Sequence, residues 1–228
     1  MMEAHEGKVS CPCCGKSAEQ FLPMGPPGRQ RLNAKCPHCG SLERHRLLIL
    51  FFKTQENLFP SGIKLLHVAP EPPLAKWITS HPTIEYLSGD ISDPRAMIKL
   101  DLTNIQFDDN TFNAIVCNHV LEHVPDDRKA LAEIYRVMRS GGWAILISPI
   151  NPNLQQTRED PSVTDPAERE RLFGQHDHVR WYGKDYADRL KEPGFDVQVI
   201  PYARQLSDRE VQLFGLHLDE DIYLCMKP

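Results

Sequence analysis

The chain has 228 residues, of which 41% are hydrophobic and 25% are charged, and its formal net charge is −5. These values are ordinary for globular proteins and exclude wholesale disorder. The first ten residues lack the apolar core of a secretory signal, and the longest apolar run, residues 47–52, is too short to cross a bilayer. We therefore expect a cytoplasmic protein that does not enter membranes.

Positive charge is concentrated near the N-terminus. Residues 1–60 carry eight Lys or Arg against five Asp or Glu, a net of +3, whereas the remainder carries 18 against 26, a net of −8. The basic residues in question are Arg29, Arg31, Lys35, Arg44 and Arg46. A patch of this size could meet phosphate or another anion, but it is weaker than a typical nucleic-acid footprint. A solvated surface is the simpler interpretation.

Five of the seven cysteines lie within the first 40 residues, in two copies of one pattern, CPCCG and CPHCG. Each C-x2-C followed by glycine is typical of a zinc knuckle, and two knuckles supply four thiolates at the corners of a tetrahedron. The pattern predicts a structural Zn²⁺ bound by Cys11, Cys14, Cys36 and Cys39. Cys13 is not expected to bind the ion, because using it as a ligand in place of Cys11 would break the C-x2-C spacing. A reduced, metal-free hairpin is the alternative.

A helix is predicted directly after the second knuckle, where the sequence reads SLERHRLLILFF and Ser41 is a plausible N-cap. This helix would join the zinc module to a larger domain. The predicted organisation is therefore a zinc module over residues 1–40, a linker helix over 41–61 and a main domain over 62–228.

Strands and helices alternate along the main domain. Apolar runs predict strands over residues 63–69, 84–87, 98–102, 112–118, 143–147, 195–202 and 222–226. Helical spacing predicts helices over residues 74–79, 126–139, 166–173 and 184–191. Between them, residues 150–182 are rich in proline and charge, which favours a lid or a substrate wall.

The stretch over residues 100–149, which contains KLDLTNIQF and NHVLEHV, resembles the second half of the cofactor domain of class I S-adenosylmethionine (SAM) dependent methyltransferases. The resemblance extends over about residues 62–228. It implies an α/β protein with a doubly wound, mostly parallel seven-stranded sheet, the Rossmann-like methyltransferase fold, beside the small N-terminal zinc-knuckle module. The wording CPHCGSLERHR resembles an N-terminal extension of some bacterial SAM methyltransferases.

The resemblance also implies cofactor positions. Asp90, in YLSGD, matches the acidic residue that accepts hydrogen bonds from the ribose hydroxyls of SAM, and Asp101 matches the residue that meets the adenine amino group. Leu102 would flank the adenine ring. Asn118 and His119 open the loop that approaches the methionine end of the cofactor.

One segment departs from the family pattern. Where an acid and a glycine-rich turn are usual, this chain has HVAPEPP over residues 67–73. His67 stands at the place of the acid, Ala69 lies in the turn, and Glu71 is expected to replace the missing carboxylate. Proline removes amide donors from such a turn. The cofactor cleft is therefore either altered but working, or lost.

Histidines are the candidates for acid–base chemistry, because their pKa lies near neutrality. His119 and His123 are the candidate general bases beside the expected methyl site, although they could equally cap the following helix. A second set closes the long loop and is the candidate acceptor site: His176, His178, Arg180 and Tyr182. Residues 176–178 could alternatively hold a divalent metal, or the whole set could be structural.

The sequence thus predicts a SAM-dependent methyltransferase that modifies an oxygen or nitrogen atom of a small-molecule or glycan-like acceptor. One alternative is an RNA or protein methyltransferase that docks its substrate through the basic zinc module. The other is a non-catalytic scaffold with the methyltransferase fold, in which the proline-rich turn over residues 67–73 no longer holds SAM.

Overall fold

A computed structural model describes residues 8–25, 28 and 30–228. Arg29 of the basic patch and the first seven residues of the N-terminal segment lie outside the described residues. The chain forms two compact units, one from Met1–Pro60, Glu71–Pro82 and Pro201–Asp221, and one from Ser61–Pro70, Thr83–Ile200 and Ile222–Pro228. The first unit includes two segments that the sequence analysis assigned to the main domain, so the boundaries at residues 40 and 61 stay predictions.

Thirteen strands are found among the described residues. They are β1 (Val9–Ser10), β2 (Ser17–Ala18), β3 (Leu22–Met24), β4 (Arg31–Lys35), β5 (Ile63–Val68), β6 (Ile84–Asp90), β7 (Ile98–Lys99), β8 (Phe112–Asn118), β9 (Met138–Ile147), β10 (Arg158–Glu159), β11 (Arg180–Trp181), β12 (Asp196–Ile200) and β13 (Ile222–Met226).

Seven α-helices and two 3-10 helices occur in the same part of the chain. The α-helices are α1 (Glu43–Thr54), α2 (Pro72–Thr79), α3 (Asp127–Val137), α4 (Pro166–Phe173), α5 (Tyr186–Lys191), α6 (Tyr202–Gln205) and α7 (Asp208–Phe214). The 3-10 helices are Glu56–Leu58 and Leu121–His123.

The second unit is built on a seven-stranded sheet with the order β12-β13-β9-β8-β5-β6-β7. Strands β5 to β9 pair in parallel, whereas β13 pairs antiparallel with both β9 and β12. After β5 the chain forms β6 and β7 toward one edge of the sheet, and then returns so that β8 pairs with the opposite side of β5. The predicted doubly wound, mostly parallel sheet is therefore confirmed, including its antiparallel end.

The core of this unit lies between α3 and the sheet. The predicted apolar positions of α3, namely Ala130, Leu131, Ile134 and Val137, are all buried. Burying a side chain such as Ile134 stabilises the fold by about 1.5–3 kcal/mol. The Asp126 carboxylate accepts a hydrogen bond from the Lys129 amide at 2.9 Å, which caps the helix N-terminus.

Some predicted boundaries were wrong. The helix predicted over residues 126–139 ends at Val137, and the strand predicted over 143–147 begins earlier, at Met138, so that Gly141 and Gly142 lie inside β9. Gly142 permits a close approach between strands, because a Cβ there would lie 2.7 Å from the Asn113 carbonyl oxygen, whereas Gly141 adopts a left-handed φ of 76°. The strand predicted over residues 98–102 is also shorter and ends at Lys99.

The first unit contains the cysteine-rich hairpins, in which β1 pairs with β2 and β3 pairs with β4. Arg46 of α1 is fully buried there, and its guanidinium donates hydrogen bonds to the carbonyls of Ala34, Ser41, Phe214 and Gly215. These bonds explain how a charged side chain is accommodated in a core. Among the described helices, none is both long and apolar enough to cross a membrane.

Candidate functional site

The carboxyl ends of β5 and β8 form the switch point of the sheet. These strands are neighbours, but the chain continues from β5 toward one edge of the sheet and from β8 toward the other. Open α/β sheets bind ligands at such a point. Two non-glycine residues with left-handed backbone flank it: Ala69, with φ of 48°, and His119, with φ of 56°. Strained backbone of this kind concentrates at functional sites. The His119 amide is held by the Ile147 carbonyl at 2.8 Å.

Asp90 and Asp101, the two acids predicted to bind SAM, each use one oxygen to hold the turn that follows. Asp90 Oδ1 accepts hydrogen bonds from the amides of Ser92 and Asp93, at 2.7 and 2.6 Å. Asp101 Oδ1 accepts from the amide and the hydroxyl of Thr103, both at 2.8 Å. The second oxygen of each carboxylate accepts no hydrogen bond among the described residues, so each remains available to a ligand.

Three further predicted cofactor residues of the second unit, Leu102, Asn118 and His67, are buried. Leu102 belongs to the hydrophobic core, and Asn118 is 3% exposed at the end of β8. His67 is fully buried, and its Nδ1 lies 3.1 Å from the Tyr86 hydroxyl. The imidazole therefore has a polar neighbour on β6, the strand that ends at Asp90.

Glu71, expected to replace the family's carboxylate, makes its contacts within the first unit. Arg44 donates to Glu71 Oε1 through Nε at 2.8 Å, and His45 Nε2 lies 2.6 Å from the same oxygen. His45 Nδ1 accepts from the Leu42 amide, which leaves Nε2 to donate. Burial raises the pKa of Glu71, but the His45 hydrogen bond and the Arg44 charge outweigh it and lower the pKa to about 2. This carboxylate is therefore charged and already paired.

Glu122 is a buried carboxylate that the structure brings beside the candidate histidines. Its side chain is 1% exposed, its Oε2 accepts from the Ser148 hydroxyl at 2.9 Å, and its Oε1 lies 3.7 Å from His119 Nδ1. One ligand atom each from Glu122, His123 and His178 lies within 4.8 Å of the others. The predicted base His123 and the predicted acceptor residue His178 thus belong to one cluster around Glu122.

The two histidines of this cluster have different surroundings. His178 is 8% exposed, its Nδ1 lies 3.1 Å from the Phe173 carbonyl oxygen, and burial lowers its pKa. His123 is 33% exposed, and its Nδ1 lies 3.4 Å from Asp177 Oδ2. His176, another predicted acceptor residue, is exposed.

Arg180 and Tyr182, also predicted to bind the acceptor, are buried in an ion-pair network. Arg180 Nε donates to Glu159 at 3.0 Å, while Nη1 and Nη2 donate to the carbonyls of residues 121, 124 and 125. The Tyr182 hydroxyl donates to Asp127 Oδ2 at 2.7 Å. Asp127 and Glu159 also pair with Arg189. These contacts occupy every nitrogen of Arg180 and give both residues a structural role.

The four predicted zinc ligands come together in the first unit. Cys11 Sγ lies 3.6 Å from Cys39 Sγ, and Cys14 Sγ lies 3.9 Å from Cys36 Sγ. Zn–S bonds of about 2.3 Å at tetrahedral angles place sulfurs about 3.8 Å apart, so the thiols fit a zinc ion. Cys13 is outside this group of four.

Ser41 was wrongly predicted to be the N-cap of α1, a position that Leu42 takes. Its hydroxyl instead lies 3.1 Å from Cys11 Sγ and 3.3 Å from Cys39 Sγ, where it supports the thiolates. The sequence analysis also missed Ser148 and Asp127. Ser148 follows a buried strand and Asp127 begins a helix. Polar residues are common at both kinds of position in proteins without having a functional role, so neither position was a specific signal.

The basic residues of the first unit are largely engaged within it. Arg31 pairs with Glu43 at 3.0 Å, Arg44 pairs with Glu71, and Arg46 is fully buried. Lys35 is exposed. This leaves less free positive charge than the sequence indicated.

Residues 78–146 match the family model of a methyltransferase domain. A rice 2-methyl-6-phytyl-1,4-hydroquinone methyltransferase is 30% identical over 86 residues, 37% of this chain and 23% of that protein. A demethylmenaquinone methyltransferase of Staphylococcus epidermidis is 37% identical over 54 residues, 24% of this chain and 22% of that protein. The chain therefore spans less than a quarter of the length of these relatives.

Solved structures with the same fold include YcgJ of Bacillus subtilis, with a TM-score of 0.52 and 16% identity over 81% of this chain and 99% of that one. Phosphoethanolamine N-methyltransferase 2 of Haemonchus contortus, solved with SAM, has a TM-score of 0.53 and 13% identity over 83% of this chain and 53% of that one. The fold is the Rossmann-like fold of class I methyltransferases. The family match over residues 78–146 and the fold thus agree on a methyltransferase domain.

Proposed function

We propose that this protein transfers a methyl group from SAM to a small-molecule acceptor. The observation that carries the proposal is the pair of acids at the ends of neighbouring strands in a chain that matches a methyltransferase domain. Asp90 and Asp101 are held rigidly through Oδ1, and each keeps a second oxygen for a ligand. Such preorganised acceptors fit the ribose hydroxyls and the adenine amino group of SAM.

The turn after β5 supports the same cofactor position despite its prolines. Ala69 adopts the left-handed conformation that a glycine would favour, and its amide is bonded to the Gly89 carbonyl at 2.8 Å. The tight turn of the family is therefore kept without its glycines. Glu71 is not needed in this arrangement, because its carboxylate is paired with Arg44 and His45.

Asp90 and Asp101 would hold SAM, which would supply an activated methyl group to an acceptor atom that loses a proton in exchange. The chain must orient the acceptor and receive that proton. His119 and His123 are the proposed bases. Each lies near a carboxylate: His119 Nδ1 is 3.7 Å from Glu122 Oε1, and His123 Nδ1 is 3.4 Å from Asp177 Oδ2.

A small molecule is favoured over a nucleic acid as the acceptor. The relatives named above act on hydroquinone or menaquinone precursors, as their names state. The paired arginines of the first unit also leave little charge for phosphates. Oxygen and nitrogen atoms remain the proposed methyl acceptors.

We further propose that Cys11, Cys14, Cys36 and Cys39 bind a structural zinc ion. Four thiolates complete a tetrahedron, which leaves no position for a substrate. Among the described residues, the apolar cluster around Val9 and Phe21 that supports these two short hairpins is small, and a bound metal ion would supply further stability.

The proposed activity is tested by incubating zinc-replete protein with methyl-labelled SAM and a panel of hydroquinones, phenols and amino sugars. We expect acceptor-dependent release of S-adenosylhomocysteine with at least one class. Transfer to RNA or protein and to none of the small molecules would contradict the proposed acceptor. SAM binding is measured separately. This distinguishes a protein that binds SAM but finds no acceptor in the panel from one that does not bind SAM.

A further inference from the structure

A second cluster of metal-ligand side chains lies in the second unit, apart from the four cysteines. We infer that Glu122, His123 and His178 bind a divalent transition-metal ion, a site that the sequence pattern alone does not define. Their ligand atoms lie within 4.8 Å of one another, although His178 is 55 residues away from His123 along the chain. Two imidazoles and one carboxylate are a ligand set of zinc, iron and related ions.

The strongest observation is the state of Glu122. The residue is 1% exposed, and its Oε2 accepts one hydrogen bond, from the neutral Ser148 hydroxyl. Its Oε1 is buried and receives no hydrogen bond among the described residues. His119 Nδ1 lies 3.7 Å from this oxygen. A buried carboxylate oxygen without a donor is costly, and a cation at this point would compensate it.

His178 has the geometry of a metal ligand. Its Nδ1 lies 3.1 Å from the Phe173 carbonyl oxygen, to which only an N–H can donate. The proton therefore sits on Nδ1, and Nε2 presents a lone pair. Histidines that bind metals commonly donate their other ring N–H to a backbone carbonyl in this way.

His123 has a comparable arrangement with a carboxylate. Asp177 Oδ2 lies 3.4 Å from His123 Nδ1, so the second ring nitrogen is left to bind the ion. The His123 and His178 rings are perpendicular, with centroids 4.8 Å apart. Asp177 is half exposed and would orient His123 rather than bind the ion itself.

The two segments that carry the ligands are fixed to each other. The Val179 amide donates to the Glu122 carbonyl at 2.9 Å, directly joining the residue after His178 to the first ligand. Arg180 then binds the carbonyls of Leu121 and Pro125, on both sides of Glu122 and His123. A site held by such a supporting network is preorganised for its ion.

The ligand spacing requires a small contraction. Bonds of about 2.1 Å at tetrahedral angles place ligand atoms about 3.4 Å apart, so the three side chains must close by up to roughly 1.4 Å. Three protein ligands leave at least one open position, unlike the four cysteines. If the proposed methyl transfer holds, this position takes an oxygen of the acceptor and lowers the pKa of its hydroxyl group. With His123 bound to the ion, His119 alone is then left as the base.

The test is a Co²⁺ titration of the full, untagged chain whose cysteine site already holds Zn²⁺, followed by visible absorption and by metal analysis. We expect one additional Co²⁺ per chain, with the weak d–d bands of nitrogen and oxygen ligands and without thiolate charge-transfer absorption. Glu122→Gln and His123→Asn should each lower the Co²⁺ affinity at least about tenfold. His217→Asn is the control, because this exposed ring also lies near a carboxylate, Asp219 at 3.9 Å.

Thermal unfolding of each variant shows whether it is folded, and the half-exposed His123 provides a substitution that spares the core if Glu122→Gln unfolds. If Co²⁺ binds only by replacing Zn²⁺ at the four cysteines, the proposed second metal site is wrong. The same conclusion follows if His123→Asn binds Co²⁺ as tightly as the unmodified protein. SAM binding is measured on the same samples. If the protein binds SAM but no second Co²⁺, the metal site is rejected and the proposed function stands. If it binds the second Co²⁺ but not SAM, the proposed function is rejected instead.

Discussion

Arg180 Nη1 donates a hydrogen bond of 2.7 Å to the carbonyl oxygen of Leu121, 59 residues earlier in the chain. This bond joins strand β11 to the short 3-10 helix that carries Glu122 and His123. From the sequence, Arg180 was predicted to belong to the acceptor site. In the structure, its guanidinium donates hydrogen bonds to the backbone carbonyls on either side of Glu122 and His123.

Replacing Arg180 by alanine should destabilise the protein by about 3–5 kcal/mol, because Asp127 and three backbone carbonyls would lose a buried partner. Urea denaturation followed by circular dichroism measures this loss. Arg95→Gln is the control, since Arg95 forms an exposed ion pair with Asp93 and its loss should leave the midpoint unchanged. An unchanged midpoint in Arg180→Ala would mean that the network contributes little.

Glu71 should make stability depend on acid pH. Its folded-state pKa of about 2 lies below the ordinary value of 4.5, so the unfolded chain takes up the proton first as the pH falls. The stabilisation, on the order of 3 kcal/mol, is therefore complete above pH 4.5 and is lost as the pH falls toward 2.

Comparing unfolding of the unmodified protein and Glu71→Gln between pH 7 and pH 3 isolates this contribution. The difference in unfolding free energy should shrink as the pH is lowered, while acid release of zinc affects both proteins alike. A difference that stays constant over this range would show that the carboxylate of Glu71 is not stabilised by Arg44 and His45.

Cys36→Ser should abolish binding of the structural zinc ion and unfold the N-terminal hairpins, whereas Cys13→Ser should retain one zinc per chain. The reason is that Cys36 belongs to the group of four sulfurs and Cys13 does not. Metal analysis gives the stoichiometry, and limited proteolysis reports the state of the hairpins. Equal zinc loss in both variants would indicate that Cys13 is a ligand after all.

The sheet could be predicted because its strands are continuous apolar runs. Residues 63–68 and 112–118 lie in parallel strands almost as the sequence indicated, and the two C-x2-C patterns correctly predicted that Cys11, Cys14, Cys36 and Cys39 come together. Local patterns of this kind need no knowledge of the tertiary structure.

The candidate site was less predictable, because its contacts join distant segments. Glu122 meets His178 only through the packing of the 3-10 helix against the loop before β11. Glu71 was expected to serve the cofactor, yet its partners Arg44 and His45 lie 27 and 26 residues earlier. Side-chain partners at such separations are decided by tertiary packing and leave no periodic signal.

The proposed cofactor site depends most on the carboxylate of Asp90. Asp90→Asn keeps the Oδ1 acceptor for the Ser92 and Asp93 amides but removes the charge that would bind ribose hydroxyls. Loss of a charged hydrogen bond costs about 1.5–3 kcal/mol, which corresponds to a roughly 10- to 150-fold weaker affinity. Asp160→Asn is a matched control, because Asp160 holds Ser162 in the same kind of turn.

The most direct measurement is therefore a calorimetric titration of zinc-replete protein with SAM, repeated with Asp90→Asn and Asp160→Asn. We predict binding of one SAM per chain that is at least tenfold weaker in Asp90→Asn and unchanged in Asp160→Asn. Failure of the unmodified protein to bind SAM, or equal affinity in all three proteins, would contradict the proposed cofactor site.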